Sequence, residues 1–230
     1  MCFPNNFENK NCTRKFFEIG GIPSVCGVID GTLIKIKCPS TNEEQFTDRH
    51  GSHSLNIMLV SGPDNVFYYC NSSWPGSVND ARVLRNSNLF YSFNSGYRPF
   101  LASIILGDSI YPCLDWLIPP VLGRNLDVAS EHFNHAHRKT RSVVERSIDL
   151  LKMRFQCLKQ LRINSPVLAA EIVKACVTLH NLCISTNDSF STQLQEDIQI
   201  ESEDEHFIAD DILIEQRQDR RRQLIHHFTS

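Results

Sequence analysis

Four carboxylates stand where their surroundings make an acid expensive to place. Asp30 interrupts the apolar run Ser24-Val25-Cys26-Gly27-Val28-Ile29 beside Gly31, and Asp108 closes the run Leu101 to Leu106 behind Gly107. Glu145 follows Val143-Val144 at the edge of an apolar helical face, and Asp80 opens a helix after a hairpin. An acid at a strand end is ordinarily a turn or cap residue. Four of them in this pattern suggest another logic, because sites in open α/β sheets gather at strand ends and adjoining helix starts. Carboxylates brought together without a cation repel and raise one another's pKa. A pair of Mg²⁺ ions roughly 3.5–4 Å apart relieves that repulsion in nucleases and polymerases. Magnesium is a hard cation that selects Asp and Glu oxygens. The chemistry expected of such a cluster is in-line attack of water or a 3′-hydroxyl on a phosphodiester. For Asp80 a second reading stays open, a helix N-terminal carboxylate that stabilises the dipole.

Other chemistries find less support. The sequence contains no G-x-G-x-x-G, no P-loop, no H-E-x-x-H and no G-x-S-x-G. Its nine cysteines are odd in number, scattered and free of any C-x-x-C pair, which argues against a disulfide framework or a zinc ribbon. Several lie in apolar runs and read as reduced, buried thiols. Cys176, His180 and Cys183 share one helical face but lack a fourth ligand, so they read as packing, as do Trp74 and Trp116. His137 is a candidate for orienting substrate or a carboxylate. The N-terminal stretch lacks the basic, apolar, small-residue succession of a secretory signal, and no run reaches about 18 apolar residues. The expectation is a soluble, intracellular chain with no membrane association.

The elements that must position the acids follow from periodicity. Ser24 to Lys37 reads as a strand that turns from buried to alternating, and Leu55 to Ser61 and Val66 to Asn71 as two more. Gly62-Pro63-Asp64-Asn65 joins the latter pair as a hairpin. Ser77 is the expected N-cap of a helix over Val78 to Asn88, and Leu101 to Leu106 a fourth strand. From Asp127 onward the pattern is helical, with Val144, Ile148, Leu151, Phe155 and Leu158 on one apolar face. Ser165-Pro166 opens a further helix running through Val173, Val177, His180 and Ile184. Residues 1–20 are polar and mixed, with Phe16 and Phe17 as anchors. The sum is a mixed α/β sheet with helices on its faces.

Charge is unevenly distributed. The formal total is −3 over 230 residues, which taken alone argues against nucleic acid. Residues 1–187 carry nineteen Lys plus Arg against fifteen acids, whereas residues 188–230 carry four Arg against eleven acids. The first part is therefore basic by +4 and the tail acidic by −7. Between Glu131 and Arg162, eight basic residues face three acids. That surplus flanks Glu145 and suits phosphate contacts, which gain by counterion release.

The motifs themselves have a family pattern. Val28-Ile29-Asp30-Gly31-Thr32, Arg49-His50-Gly51-Ser52-His53-Ser54-Leu55-Asn56 and Trp74-Pro75-Gly76-Ser77-Val78-Asn79-Asp80-Ala81-Arg82 occur in order. Leu106-Gly107-Asp108-Ser109, Ala136-His137-Arg138-Lys139-Thr140-Arg141 and Val143-Val144-Glu145-Arg146 continue the set. This closely resembles the PIF/Harbinger transposase family of DDE superfamily endonucleases, and in particular the domesticated Harbinger transposase-derived nucleases.

The resemblance implies an RNase H-like catalytic core over 16–187, with Asp30, Asp108 and Glu145 as catalytic and metal-binding triad and Asp80 as a further metal ligand. Thirty-six residues lie between Asp108 and Glu145. The family glycine after Asp-Ser is Ile110 here, and the histidine that often precedes the fourth acid is Asn79. Implied with the family are Mg²⁺ or Mn²⁺ as cofactor, DNA as substrate, a Myb-like DNA-binding partner, and a nuclear location with the cytoplasm also open. An alternative within the same family is a catalytically silent binding module for that partner. The tail is expected to form an acidic linker over 188–208 and an amphipathic helix over 209–230 that docks back or binds a partner.

Overall fold

The apolar, partly β-branched stretch Val25 to Ile29 fits a strand covered on both faces, and it runs through the middle of the sheet. The computed structural model of the protein describes Phe3, residues 6–186 and residues 218–229. Its strands are β1 (Val25–Lys35), β2 (Ser54–Ser61), β3 (Phe67–Pro75), β4 (Ile104–Leu106) and β5 (Leu117–Ile118), in the order β3-β2-β1-β4-β5. β1 pairs antiparallel with β2, and β2 with β3, while β1–β4 and β4–β5 are parallel. This is the RNase H-like mixed sheet expected from the sequence. β5, only two residues long, was not anticipated.

The helices are α1 (Asn6–Gly20), α2 (Glu43–Phe46), α3 (Asp80–Arg85), α4 (Asn88–Asn94), α5 (Val128–Arg154), α6 (Pro166–Ser185) and α7 (Gln218–His226). They sandwich the sheet, and the strand alternation assigns each residue to a layer. Ile57, Leu59, Ile104, Leu106 and Ile118 pack with α1, α5 and α6 on one side. Met58, Val60, Ile105 and Leu117 pack with α3 and α4 on the other. Burial on both faces explains why β2 has no exposed residue and reads as a continuous apolar run.

α5 begins where Asp127 accepts a hydrogen bond from the Ser130 backbone N–H at 2.9 Å and keeps Val144, Ile148 and Leu151 buried. The expected face ends sooner than its period suggested, because Phe155 is the C-cap and Leu158 lies on a following 3₁₀ turn. α6 starts with Ser165 as cap and Pro166 in the first turn, as the sequence indicated. It is long and apolar enough to cross a membrane by length and composition alone. Here Ala169, Val173, Cys176, Val177 and His180 are buried on the sheet side, and the Asn181 side chain bonds both the N–H and the C=O of Phe67 at 2.9 and 2.8 Å.

Three expectations change. The mixed segment before Gly20 forms helix α1, held by Cys12 and fully buried Phe16, whereas Phe17 is exposed. The helix expected over Val78 to Asn88 is two helices. Asn79, not Ser77, caps the first by accepting from Arg82 N at 2.9 Å, and Ser87 caps the second. The fourth strand spans only Ile104–Leu106, since Leu101 is 94% exposed and Ala102 adopts a positive φ.

The linker expected over 188–208 lies outside the described residues, as does 209–217 of the expected terminal helix. The described end, α7, packs against α5. Leu224 is 3% exposed, Phe228 meets Phe133 with ring centroids 6.2 Å apart, and Arg221 donates to the Pro120 carbonyl at 3.2 Å. Leu224→Ala is expected to destabilise the protein by about 2–5 kcal/mol, the usual range for truncating a buried leucine. Urea unfolding measures this, and an unchanged midpoint would remove α7 from the core.

Candidate active site

Asp30 lies in mid-β1 opposite Leu59 of β2, Asp108 just past the end of β4, and Asp80 at the first position of α3. The parallel β1–β4 pairing, with Val28 beside Leu106, carries Asp30 and Asp108 to the same end of neighbouring strands. Asp80 arrives from the other side of β1. Its carboxylate lies against Gly31, where any Cβ would collide with it, so the Asp30-Gly31 pair supplies both an acid and the room for a second one. Asn56, opposite Leu33 in β2, donates to Asp80 Oδ1 at 2.6 Å and to the Val78 carbonyl at 2.8 Å. That fixes the carboxylate and the chain leading into α3.

Glu145 joins through a cation. Arg141, one turn earlier on α5, donates to Glu145 Oε1 at 2.7 Å and lies 3.6 Å from Asp30 Oδ2. One guanidinium thus spans the helical acid and the strand acid. The hydroxyl of Tyr111 is buried without a hydrogen-bond partner, and all three aspartates raise its pKa further after burial has done so.

The electrostatics follow from this crowding. Burial pushes Asp30 up to about 7; Arg141 and the Gly31 N–H pull it down, while Asp108 and Asp80 push it further up. Burial raises Asp80 and Asp108 as well, with Asp108 adding to the rise at Asp80. The donor set is all hard oxygen, its like charges are mutually destabilising, and two of its four members already share a cation. These residues therefore fit Mg²⁺ or Mn²⁺. The histidine expected to act here does not. His137 is 2% exposed, is hydrogen-bonded through Nε2 to the Ile118 carbonyl at 2.9 Å, and is pushed by burial down to about 4. It is a neutral packing residue.

A groove of about 650 Å³ is lined by Gly31, Thr32, Asp80 and Ile110 among others, and of the four acids Asp80 alone contributes to its wall. Lys35, Arg49, Lys152 and Lys159 also line it, against Asp48 and Asp80 as acids. The basic surplus expected between Glu131 and Arg162 is therefore divided. Lys152 and Lys159 face the groove, Lys152 donating to Thr32 Oγ1 at 2.7 Å, while Arg141 turns inward to the carboxylates. Lys35 and Arg49 come from outside the expected cluster.

The DDE superfamily endonuclease family matches residues 29–181. The chain belongs to that family. "Putative nuclease HARBI1" of Bos taurus is 32% identical over 219 residues, covering 94% of this chain and 62% of its own length. The protein of the same name from Mus musculus is 34% identical over 204 residues, covering 86% and 58%. "Protein ALP1-like" of Arabidopsis thaliana is 30% identical over 192 residues, covering 76% and 46%. The chain thus spans about three fifths of the length of the animal relatives it matches. No solved structure matches it. As a DDE superfamily endonuclease the chain resembles the domesticated Harbinger transposase-derived nucleases, as its motif set implied.

Sequence reasoning passed over Arg141, Asn56 and Tyr111 as site residues. The four-residue step from Arg141 to Glu145 was a usable signal, since such pairs face each other on a helix. Asn56 showed as a lone amide in a buried strand.

A pH test follows from Asp30. Its folded-state pKa lies above the ordinary value, so its protonated form favours the fold, and stability is lost as pH rises from about 4 through 7. In metal-free protein, Asp30→Asn should leave the melting temperature near that of wild type at pH 4 and exceed it at pH 8. Parallel melting curves across this range would mean that Asp30 is not desolvated.

Proposed function

We propose that this DDE endonuclease is a divalent-metal-dependent DNA nuclease acting in the nucleus. The supporting observation is the close grouping of Asp30, Asp80 and Asp108, with Glu145 linked to Asp30 through Arg141, and Asp80 also lines a basic groove. These four acids would hold a pair of Mg²⁺ or Mn²⁺ ions. Bound there, such ions would supply activation of water or a 3′-hydroxyl for in-line attack and relief of the charge on the phosphate.

The remaining chemistry belongs to the chain. Lys35, Arg49, Lys152 and Lys159 line the route of a phosphate backbone, where each neutralised phosphate releases condensed counterions. Asn56 holds Asp80 at a fixed angle to Gly31. Arg141 keeps Glu145 turned toward Asp30 and lowers the cost of having both ionised. The buried β1–β4 pair makes the acid positions rigid, which in-line displacement requires because reacting groups must be held in a near-attack arrangement.

Arg141 also favours a second reading. Because it already balances Asp30 and Glu145, the fold can hold its acids without an ion, as a silent module recruited by a Myb-like DNA-binding partner would need to do. Mn²⁺ binding separates the two readings. The nuclease reading expects Mn²⁺ to bind and duplex DNA to be nicked, with Asp30→Asn, Asp108→Asn and Glu145→Gln each lowering the rate by at least ~100-fold. Lys152→Ala should weaken DNA binding and reduce its salt dependence by about one phosphate. Cleavage that persists in Asp108→Asn, or Mn²⁺ binding unchanged by these substitutions, would reject the nuclease site.

A further inference from the structure

The connection between β1 and β2 carries a second set of ligand-type groups that the carboxylate cluster does not use. Cys38 lies three residues beyond the end of β1, Glu43 is the first residue of α2, and His53 immediately precedes β2. The antiparallel register dictates their meeting. Lys35 pairs with Ser54, and the ladder extends one step further through Ile36 N–H to the His53 carbonyl at 2.9 Å. The chain leaving β1 and the chain entering β2 therefore run side by side, and α2 folds back over them. The thiol, imidazole and carboxylate ligand atoms all lie within 4.8 Å of one another, with His53 Nε2 2.9 Å from Glu43 Oε1.

The ligand chemistry differs from that of the catalytic acids. Thiolate, imidazole and carboxylate together suit a borderline-soft ion such as Zn²⁺, whereas Mg²⁺ and Ca²⁺ prefer oxygen alone. Zinc bonds of about 2.0–2.3 Å place tetrahedral ligand atoms roughly 3.3–3.8 Å apart. The ligand atoms, all within 4.8 Å of one another, are already close to that spacing. Cys38 and Glu43 are exposed and His53 partly so, so each can turn, and water can reach a fourth position. Hydrogen bonds from Cys38 and His53 hold the Glu43 carboxyl below its ordinary range, in its ligating form.

We propose that Cys38, Glu43 and His53 form a three-ligand site for a zinc-class divalent ion, with solvent as the fourth ligand, which clips the two ends of the β1–β2 connection together. On binding, the Cys38 thiol releases its proton to solvent and the thiolate takes the ion, so uptake is accompanied by proton release. The consequence reaches the groove. The same connection supplies Asp48, Arg49 and His50 to the groove wall, and Ser77 Oγ donates to the Gln45 carbonyl at 2.6 Å. That bond ties the connection to the turn that leads into Asp80. The ion would fix one wall of the groove without touching the reacting atoms, and the assignment does not depend on the nuclease reading.

Cobalt reports the site directly, because thiolate ligation gives Co²⁺ a near-ultraviolet charge-transfer band that carboxylates alone do not produce. The whole reduced, metal-free chain is titrated with Co²⁺ and then with Zn²⁺. The expected result is one thiolate–cobalt band at one equivalent, bleached by Zn²⁺, absent in Cys38→Ser and retained in Asp30→Asn. As a second readout on the unaltered protein, one equivalent of Zn²⁺ should slow alkylation of Cys38 about tenfold while leaving exposed Cys157 unchanged. No band, a band that survives Cys38→Ser, or equal protection of Cys38 and Cys157 would each overturn the proposal.

Discussion

Carboxylates withdrawn from water repel one another, and the geometry of this protein is organised around holding several of them close. Asp30 and Asp108 are forced together by the parallel pairing of β1 with β4, and Asp80 is pressed onto Gly31 from the side. Neither arrangement stabilises the acids. It is the two cores above and below the sheet, with Phe16, Phe133, Phe93 and Trp116 fully or almost fully buried, that offset the cost. Arg141 reduces it further by bridging two of the charges. The site is therefore strained in the electrostatic sense, and an ion of opposite charge is the natural relief.

The elements that carry Asp30 and Glu145, and the strand whose Asn56 holds Asp80, are well buried. β2 has no exposed residue, β1 is buried through Ile29, and α5 buries twelve of its residues along one side. By contrast, the groove wall made by the β1–β2 connection is built from short, exposed segments, with α2 burying no residue. Rigid acids thus lie beside a more exposed, loop-built wall.

Much of this was legible in the chain because burying an acid leaves a trace. Asp30 breaks one apolar run, Asp108 ends another, and Glu145 lies at the edge of an apolar helical face, so the polarity pattern drew attention to them before the motif set implied their roles. The helix cap was not legible. Ser77 and Asn79 are both good cap residues, and the choice falls to Asn79 because Asp80 must meet Gly31 and Asn56, a tertiary demand. The helix before Gly20 was hidden because only Cys12 and Phe16 of its described side chains are buried, too few to show a period. β5 was hidden by its length. The sign of the whole chain's charge misled, since an acidic tail cancels basic residues that line the groove.

Helix α7 sits on α5, the element that carries both Arg141 and Glu145, with Leu224 in the core and Arg221 on the Pro120 carbonyl. Removing α7 and the Phe228 that follows it would take away the ring that Phe133 meets on α5, the same helix that bears Arg141 and Glu145. The last described helix is therefore mechanically coupled to the site through one rigid rod.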